Sequence, residues 1–454
     1  MKKMTRAEPF RICGVSVRAH DGRTLLEVDR LEIEPGEWVH VVGPNGSGKS
    51  TLARLITGLL RDADGDISAV AGTISRGFAG DAPLPYVTQD PEAAIAGSTP
   101  WEDLALTLEA RGIGGAEALN EIGRLLGLCR LRERRFTPVE RLSGGQKQLL
   151  AAAGCLASGA PLLVFDEAAS MLDAAGRAQV LAVARRMREA GAAVVWITHS
   201  TEDIVRGDRV VGLKDGKLVF DGPAEAFFLA EDGGAGPCER LGCGVPHAVR
   251  TALGLRRLGV RLEPLPLTPE DLARGLAACG ELPDEAERFL AEAAGGLTAP
   301  ADERGAGSEE GRISPAGPGA GLRSRSTAEA GAGGESGDGG APEDWRIDEL
   351  TVTGGGGAAV LRRVSAVFRA GRITAVVGPN GAGKTTLLEA MAGLRRPSEG
   401  AVSLGGVPVW TGRRPRRDRL LRFGFAMQRS ESAWFADTAR AELLRAMRPY
   451  AVPA

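Results

Sequence analysis

What this chain of 454 residues has little of narrows its class first. Aromatic side chains make up only 4% of it, and no apolar run approaches the roughly 18–20 residues a spanning helix needs. A membrane-spanning helix is therefore not expected, and any membrane role must be peripheral. Excess charge of either sign is also missing. The 56 Lys and Arg residues nearly balance 58 Asp and Glu, so a net charge of −2 gives no global case for nucleic acid or an anionic membrane surface. The basic opening MKKMTRAEPFR lacks the apolar core of a signal peptide behind it. Six cysteines without a disulfide-like framework suit a reduced cytosol. One group, CERLGCGVPH, sets Cys238, Cys243 and His247 close together, with Cys279 as a conceivable fourth ligand. That spacing matches no common zinc pattern, and incidental reduced thiols are the better reading.

What is present is glycine and alanine in an α/β pattern, over a length suited to roughly two to four domains. The dominant feature is an internal repeat. The stretch LEVDRLEIEPGEWVHVVGPNGSGKSTL from Leu26 recurs as LRRVSAVFRAGRITAVVGPNGAGKTTL from Leu361. In each copy an apolar run of strand character meets a Gly-rich loop and then a helical segment, LARLITGLL or LLEAMAGLR. Between the copies, residues 305–344 are rich in Gly, Ser, Ala and acids and read as a flexible linker. Ahead of the linker, residues 247–280 read as a small helical appendage.

The loop GPNGSGKST (Gly43, Pro44, Asn45, Gly46, Ser47, Gly48, Lys49, Ser50, Thr51) fits the phosphate-loop pattern in full. Glycines let successive N–H groups curl around phosphate, and the following helix points its positive end there. Lys49 should reach the β and γ phosphates, and Ser50 should offer its hydroxyl to Mg²⁺. GPNGAGKTT repeats the pattern with Gly378, Asn380, Gly381, Gly383, Lys384, Thr385 and Thr386. A bare glycine turn is the alternative in each case, and the complete pattern after a strand makes it the poorer one. LLVFDE is an apolar run ending in Asp166 and Glu167. Beyond the carboxyl end of a strand both acids would face the nucleotide, Asp166 holding Mg²⁺ and Glu167 polarising the attacking water. LSGGQ (Leu142, Ser143, Gly144, Gly145, Gln146) sets a serine and two glycines at a helix start, an arrangement suited either to an oxyanion or to a plain cap.

Together these motifs resemble the ATP-binding cassette ATPases, and more narrowly the ATPase subunits of energy-coupling factor transporters. The first copy carries the resemblance along its length: the phosphate loop, Gln89 in YVTQDPEAAIAGSTPWEDLAL, LSGGQKQ, DEAASMLD and WITHS. The narrower resemblance rests on GSTPWEDLAL, on SMLD and on the helical appendage. It implies an α/β phosphate-loop NTPase core with a helical subdomain, a small carboxyl-terminal extension and an incomplete second copy. The implied division is 8–230 for the first cassette, 231–304 for the extension, 305–344 for the linker and 345–454 for the second cassette. By the same resemblance Gln89 senses γ phosphate and Mg²⁺, His199 contacts the γ phosphate, and Ser170, Leu172 and Asp173 form the loop that contacts a second ATPase domain. The implied cofactors are ATP and Mg²⁺. The implied partners are an integral membrane transporter subunit and a second ATPase domain, at the cytoplasmic face of the membrane, with no nucleic acid. Vitamin or metal-ion uptake is the implied task, and the sequence does not name the cargo.

The first copy departs from its family where DEAAS replaces DEPTS, losing a proline that stiffens the turn. The aromatic that usually stacks on adenine is also missing before both loops. His20 is a conceivable substitute, and weak base discrimination is expected. The second copy can be measured against the first. Gly43 to Gln89 is 46 positions, and Gly378 to Gln428 is 50, so the closing segment is a second glutamine loop. Ser143 lies 100 positions after Gly43, and the same distance from Gly378 passes Ala454. The expectation is a second copy without signature, acids or histidine, marginally stable from Trp345 onward, and a hydrolytic site completed by a partner. Two other functions compete: a nucleotide binder with little or no turnover, and a soluble two-cassette ATPase of the translation-factor type. The latter predicts a basic, helix-rich linker, which residues 305–344 do not provide.

Overall fold

The structure is a computed structural model that describes residues 7–60, 67–170, 172–229, 235–280, 282–298, 323–326, 344–354, 359–378 and 381–412, with short pieces at 414–416, 418, 424–425, 438 and 440–441. The chain divides into two compact units, Met1–Glu303 and Arg304–Ala454.

The first unit begins with β1 (Phe10–Ala19), β2 (Thr24–Ile33), β3 (Trp38–Val42), α1 (Lys49–Thr57), β4 (Ile67–Ser75) and β5 (Tyr86–Val87). A helical layer follows with α2 (Pro100–Ala110), α3 (Gly115–Leu128) and α4 (Gly144–Ser158), and then β6 (Leu162–Asp166), α5 (Ala174–Glu189) and β7 (Ala193–Ile197). It closes with β8 (Arg209–Lys214), β9 (Lys217–Pro223) and the helices α6 (Ala224–Phe228), α7 (Pro237–Arg240), α8 (His247–Arg257), α9 (Pro269–Ala278) and α10 (Asp284–Thr298). One nine-stranded sheet runs in the order β4-β1-β2-β9-β8-β3-β7-β6-β5. Its central strands β8, β3, β7, β6 and β5 are mutually parallel, while β1 pairs antiparallel with β2 and β4.

Every residue of β3, β6 and β7 is buried, as parallel strands covered on both faces require. Alternate residues then serve opposite cores. Val39, Val41, Leu162, Val164, Val195 and Ile197 pack with α1 and the antiparallel strands. Trp38, Leu163, Phe165, Val194 and Trp196 pack with α2 to α5. The second face is anchored by rings: Trp38 stacks on Trp196 at 5.6 Å, and Phe165 meets Trp196 at 5.3 Å. A third cluster joins Val42, Ile204 and Val210 to Phe227, Val249 and Leu255 of the final helices and to Leu267 just before α9. The extension therefore shares its core with the strand that feeds the phosphate loop. No helix among the described residues is long and apolar enough to cross a membrane.

The second unit repeats the opening of the first. Strands β11 (Trp345–Thr353), β12 (Ala359–Phe368) and β14 (Glu399–Leu404) form an antiparallel sheet with β11 in the middle. The phosphate-loop strand β13 (Thr374–Val377) leads to α11 (Lys384–Met391). Four residues from the inter-copy segment, β10 (Arg323–Ser326), pair antiparallel with β13. Where β3 is buried throughout, β13 alternates half-buried and exposed positions.

Candidate active site

Residues 43–51 carry the chain from β3 into α1 around a tightly braced turn. Gly43 has φ +157, and a Cβ there would stand 2.1 Å from the Leu213 carbonyl oxygen. Gly48 has φ +97, with its absent Cβ 2.9 Å from the Leu25 oxygen. Only glycine fits such close backbone approaches. The brace is the β8–β9 hairpin, whose turn residues Asp215 and Gly216 both take positive φ, 49° and 76°. Gly216 N–H donates to the Ser47 oxygen at 3.2 Å. Sequence reasoning overlooked this hairpin, although the Asp-Gly pair in LKDGKL was its signal.

Lys49 is buried, and its ammonium donates to the Gly43 and Pro44 carbonyls at 2.9 Å each. Burial lowers its pKa, opposed by the nearby charges of Glu167 and Asp166. Pro44, Asn45, Gly46 and Ser50 are exposed, Thr51 is half-buried, and the Ser47 hydroxyl is buried with no partner.

Strand register assembles the remaining groups. Val41 of β3 and Asp166 of β6 both lie opposite Ile197 of β7, so the three parallel strands finish on one line. Glu167 N–H donates to the Ile197 oxygen at 3.0 Å, and Thr198 N–H to the Val41 oxygen at 3.1 Å. Parity sends Asp166 to the α1 side, like Val164 before it. There its carboxylate accepts the Tyr86 hydroxyl at 2.8 Å. Burial first, then the charge of Asp166, pushes the Tyr86 phenol well above its ordinary range. Tyr86 was not anticipated; its only signal was its place three residues before Gln89.

Glu167, the first residue past β6, takes φ +52, a left-handed angle uncommon for any residue but glycine. His199 Nδ1 lies 3.6 Å from its carboxylate, with the imidazole 56% and Glu167 23% exposed. The turn behind Glu167 closes without the missing proline. Ser170 N–H and Oγ both donate to the Glu167 oxygen, at 3.0 and 2.8 Å, over buried Ala168 and Ala169. Leu172 is half-buried beside Gly145, and Asp173 caps α5 by accepting from Gly176 N–H at 2.8 Å.

The signature residues occupy the other face. Leu142 is buried, and Ser143 caps α4 in a reciprocal box with Gln146: Oγ accepts from Gln146 N–H at 3.3 Å, and Ser143 N–H donates to Oε1 at 3.0 Å. Gly144 and Gly145 open the helix. Gln89 is exposed after β5, and its backbone is held from the signature helix, because Gln148 Nε2 donates to the Thr88 and Gln89 oxygens at 3.1 Å each. Lys147 pairs with Glu92. GSTPWED is a capped helix start: Thr99 caps α2, and Asp103 folds back to accept from Ala96 and Gly97 at 2.8 and 3.0 Å.

Lys49, Asp166, Glu167 and His199 thus gather at the carboxyl ends of β3, β6 and β7, while Leu142, Ser143 and Gln146 stand at the head of α4. Ser50 hydroxyl and Asp166 carboxylate are hard oxygen donors, and few protein ligands suit Mg²⁺, which keeps waters and phosphate oxygens for the rest of its shell. The loop's orphaned Ser47 hydroxyl and its anion-ready helix start fit a phosphate in the same place. His20 is exposed on the β1–β2 turn.

Among the described residues no group of three His, Cys, Asp or Glu side chains could hold a metal. Cys238 is buried with its thiol on the Cys243 and Gly244 carbonyls at 3.6 and 3.7 Å, and burial pushes it up to about 12. Burial also raises the Cys243 thiol, against the pull of the Lys49 ammonium. His247 opens α8, and Cys279 is exposed.

The second loop copies the first. Lys384 donates to the Gly378 oxygen at 2.8 Å, and Gly381 and Gly383 take φ +80 and +89 against +76 and +97 at Gly46 and Gly48. Thr385 and Thr386 lie in α11; Asn380 and Gln428 fall outside the described residues.

The ABC transporter family profile matches residues 26–170 and again 361–441. Over 260 residues the chain is 36% identical to the energy-coupling factor transporter ATP-binding protein EcfA1 of Lactiplantibacillus plantarum, covering 56% of this chain and 90% of that protein. The EcfA1 protein of Bacillus subtilis is 33% identical over 257 residues, with 56% and 90% covered. That of Symbiobacterium thermophilum is 38% identical over 260 residues, with 56% and 88% covered. Two separate segments answer to one family, and the relatives align along nearly their whole length. The chain belongs to the ATP-binding cassette ATPases, in the group of energy-coupling factor transporter ATP-binding proteins.

Proposed function

We propose that the first cassette, residues 8–230, hydrolyses ATP to energise an energy-coupling factor type uptake transporter for a vitamin or a metal ion. The extension is 231–304, the linker 305–344, and the second cassette 345–454. In this reading the loop amides and Lys49 hold the β and γ phosphates, and Ser50, Asp166 and Gln89 hold Mg²⁺, which when bound offsets charge on the phosphates. Glu167 takes a proton from the attacking water, and His199 steadies the γ phosphate. Residues 142–146 cover a nucleotide held by a second ATPase domain, and Ser170, Leu172 and Asp173 meet that domain across the closed pair. In the second copy Gly378, Gly381, Gly383, Lys384, Thr385 and Thr386 bind a further nucleotide. The chain works at the cytoplasmic face of the membrane, on an integral membrane subunit, and contacts no nucleic acid.

One observation supports most of this: the shared register of β3, β7 and β6, whose carboxyl ends lead into the phosphate loop, the histidine and the paired acids. The test measures ATP turnover by the full chain, alone and with its membrane partner, against Glu167→Gln. Turnover should drop about 10²- to 10³-fold while ATP binding persists. Pull-down of the chain from cells should recover an integral membrane subunit. Wild-type turnover no higher than that of Glu167→Gln, with or without membranes, would sink the proposal.

A further inference from the structure

We propose that Arg177 is a positioning residue that sets the switch histidine and ties it to the loop ending at Asp173. The inference rests on the ATPase reading above and adds a residue to it. Arg177 lies in the first turns of α5, four residues after the cap Asp173, to whose carbonyl its N–H donates at 2.9 Å. Its guanidinium reaches across to the segment after β7. Nη2 donates to Ser200 Oγ at 2.6 Å, and Nε donates to both carboxylate oxygens of Asp203 at 3.0 and 3.1 Å.

This contact matters because His199 is otherwise lightly held. Its ring is 56% exposed, with the Glu167 carboxylate at 3.6 Å. Where the imidazole stands is therefore decided by the backbone on either side. On the near side Thr198 is bonded to β3 through its N–H, and its hydroxyl accepts from Ser200 N–H at 3.0 Å. On the far side Ser200 and Asp203 are gripped by one planar fork, and Thr201 bonds to the Gly244 carbonyl of the extension. A charge-assisted fork with Asp203 only 10% exposed is a stiff tether. Displacement of residues 170–173 at the head of α5 is thereby passed to His199 through a single side chain.

The test uses the full chain and three variants. Arg177→Ala removes both contacts, Arg177→Lys keeps charge for Asp203 but loses the fork, and Ser200→Ala removes only the bond beside the histidine. Expected are kcat losses of about tenfold in Arg177→Ala and of a few-fold in the other two, with KM for ATP within about twofold of wild type. The Ser200→Ala and Arg177→Ala effects should be less than additive. Amide hydrogen exchange at Ser200 and Glu202 should accelerate at least about fivefold in Arg177→Ala and stay unchanged in α1.

Wild-type kcat in Ser200→Ala and Arg177→Lys would overturn the proposal. So would parallel collapse of kcat, KM and melting temperature in all three, which marks a merely structural residue. If the wild-type chain itself turns nothing over, the ATPase reading fails, while exchange at Ser200 and Glu202 still decides for or against Arg177.

Discussion

Glu167 sits at a backbone angle few residues accept, and Gly43 fills a place no other residue can enter. Both facts concern single atoms. A methyl at residue 43 would lie 2.1 Å from the Leu213 oxygen, so the loop or the hairpin must move. Gly43→Ala should lose most ATP affinity and lower the melting temperature by several degrees, read by nucleotide titration and calorimetry; wild-type values for both would refute the brace. Motif residues such as Lys49, Asp166 and His199 were legible because each chemistry needs a particular group after a strand. Tyr86, Gln148 and Arg177 were not, since a phenol, an amide and a guanidinium gain their meaning only from partners 80, 60 and 26 positions away. The spacing of CERLGC was equally silent: it places the Cys238 thiol in a core and Cys243 half-buried against the same cluster, with no ligand geometry.

Among the elements, β3, β6 and β7 read plainly as apolar runs, and their length and parity then determine which side chain faces α1. What the runs did not declare was their order in the sheet, which needs pairing between strands far apart in sequence. The head of α4 offers a test of its two readings. Ser143 and Gln146 already satisfy each other, so Ser143→Ala should cost about 1 kcal/mol of stability through the lost cap. If the serine also covers a partner's nucleotide, turnover will fall further than that loss of stability accounts for. In the second unit the repeat is legible, yet the strand is differently housed. Ile373 is 77% exposed and Leu394 60%, and β13 is half-buried or exposed along its length where β3 is buried throughout. Limited proteolysis should therefore degrade the second unit while a fragment close to 8–298 persists. Survival of a fragment beginning near Trp345 would contradict this.

At the scale of the whole first unit, one buried ionic cluster joins its parts. Asp208 accepts from Arg185 at 2.6 and 2.5 Å, lies 2.9 Å from His40 Nε2 and 3.5 Å from Arg188, and accepts from Val205 N–H at 3.2 Å. Arg185 also covers the Trp38 ring at 3.8 Å, so β3, α5 and the approach to β8 meet on this carboxylate. Burial would raise the Asp208 carboxyl, but bonds from Arg185 and His40 hold it below the usual range. Burial lowers His40. Both shifts have the same sign for stability. Each group binds protons more readily when unfolded, so its contribution is present at neutral pH and lost as pH falls. Melting temperature should decline from about pH 6.5 through the His40 range and again below about pH 4. His40→Gln should flatten the first decline and leave the second. Asp208→Asn, which strands two arginines, should cost about 3–5 kcal/mol.

The helices after β9 have a consequence of their own. Their core includes Val42, the last residue of the strand that launches the phosphate loop, together with Ile204 and Val210. A gene cut after Pro223 would code for a cassette with every motif intact and an oily wound beside its nucleotide. Such a fragment should clump when expressed, so the boundary at which a cloner may safely divide this chain lies beyond α10, and catalogues of motifs alone would place it too early.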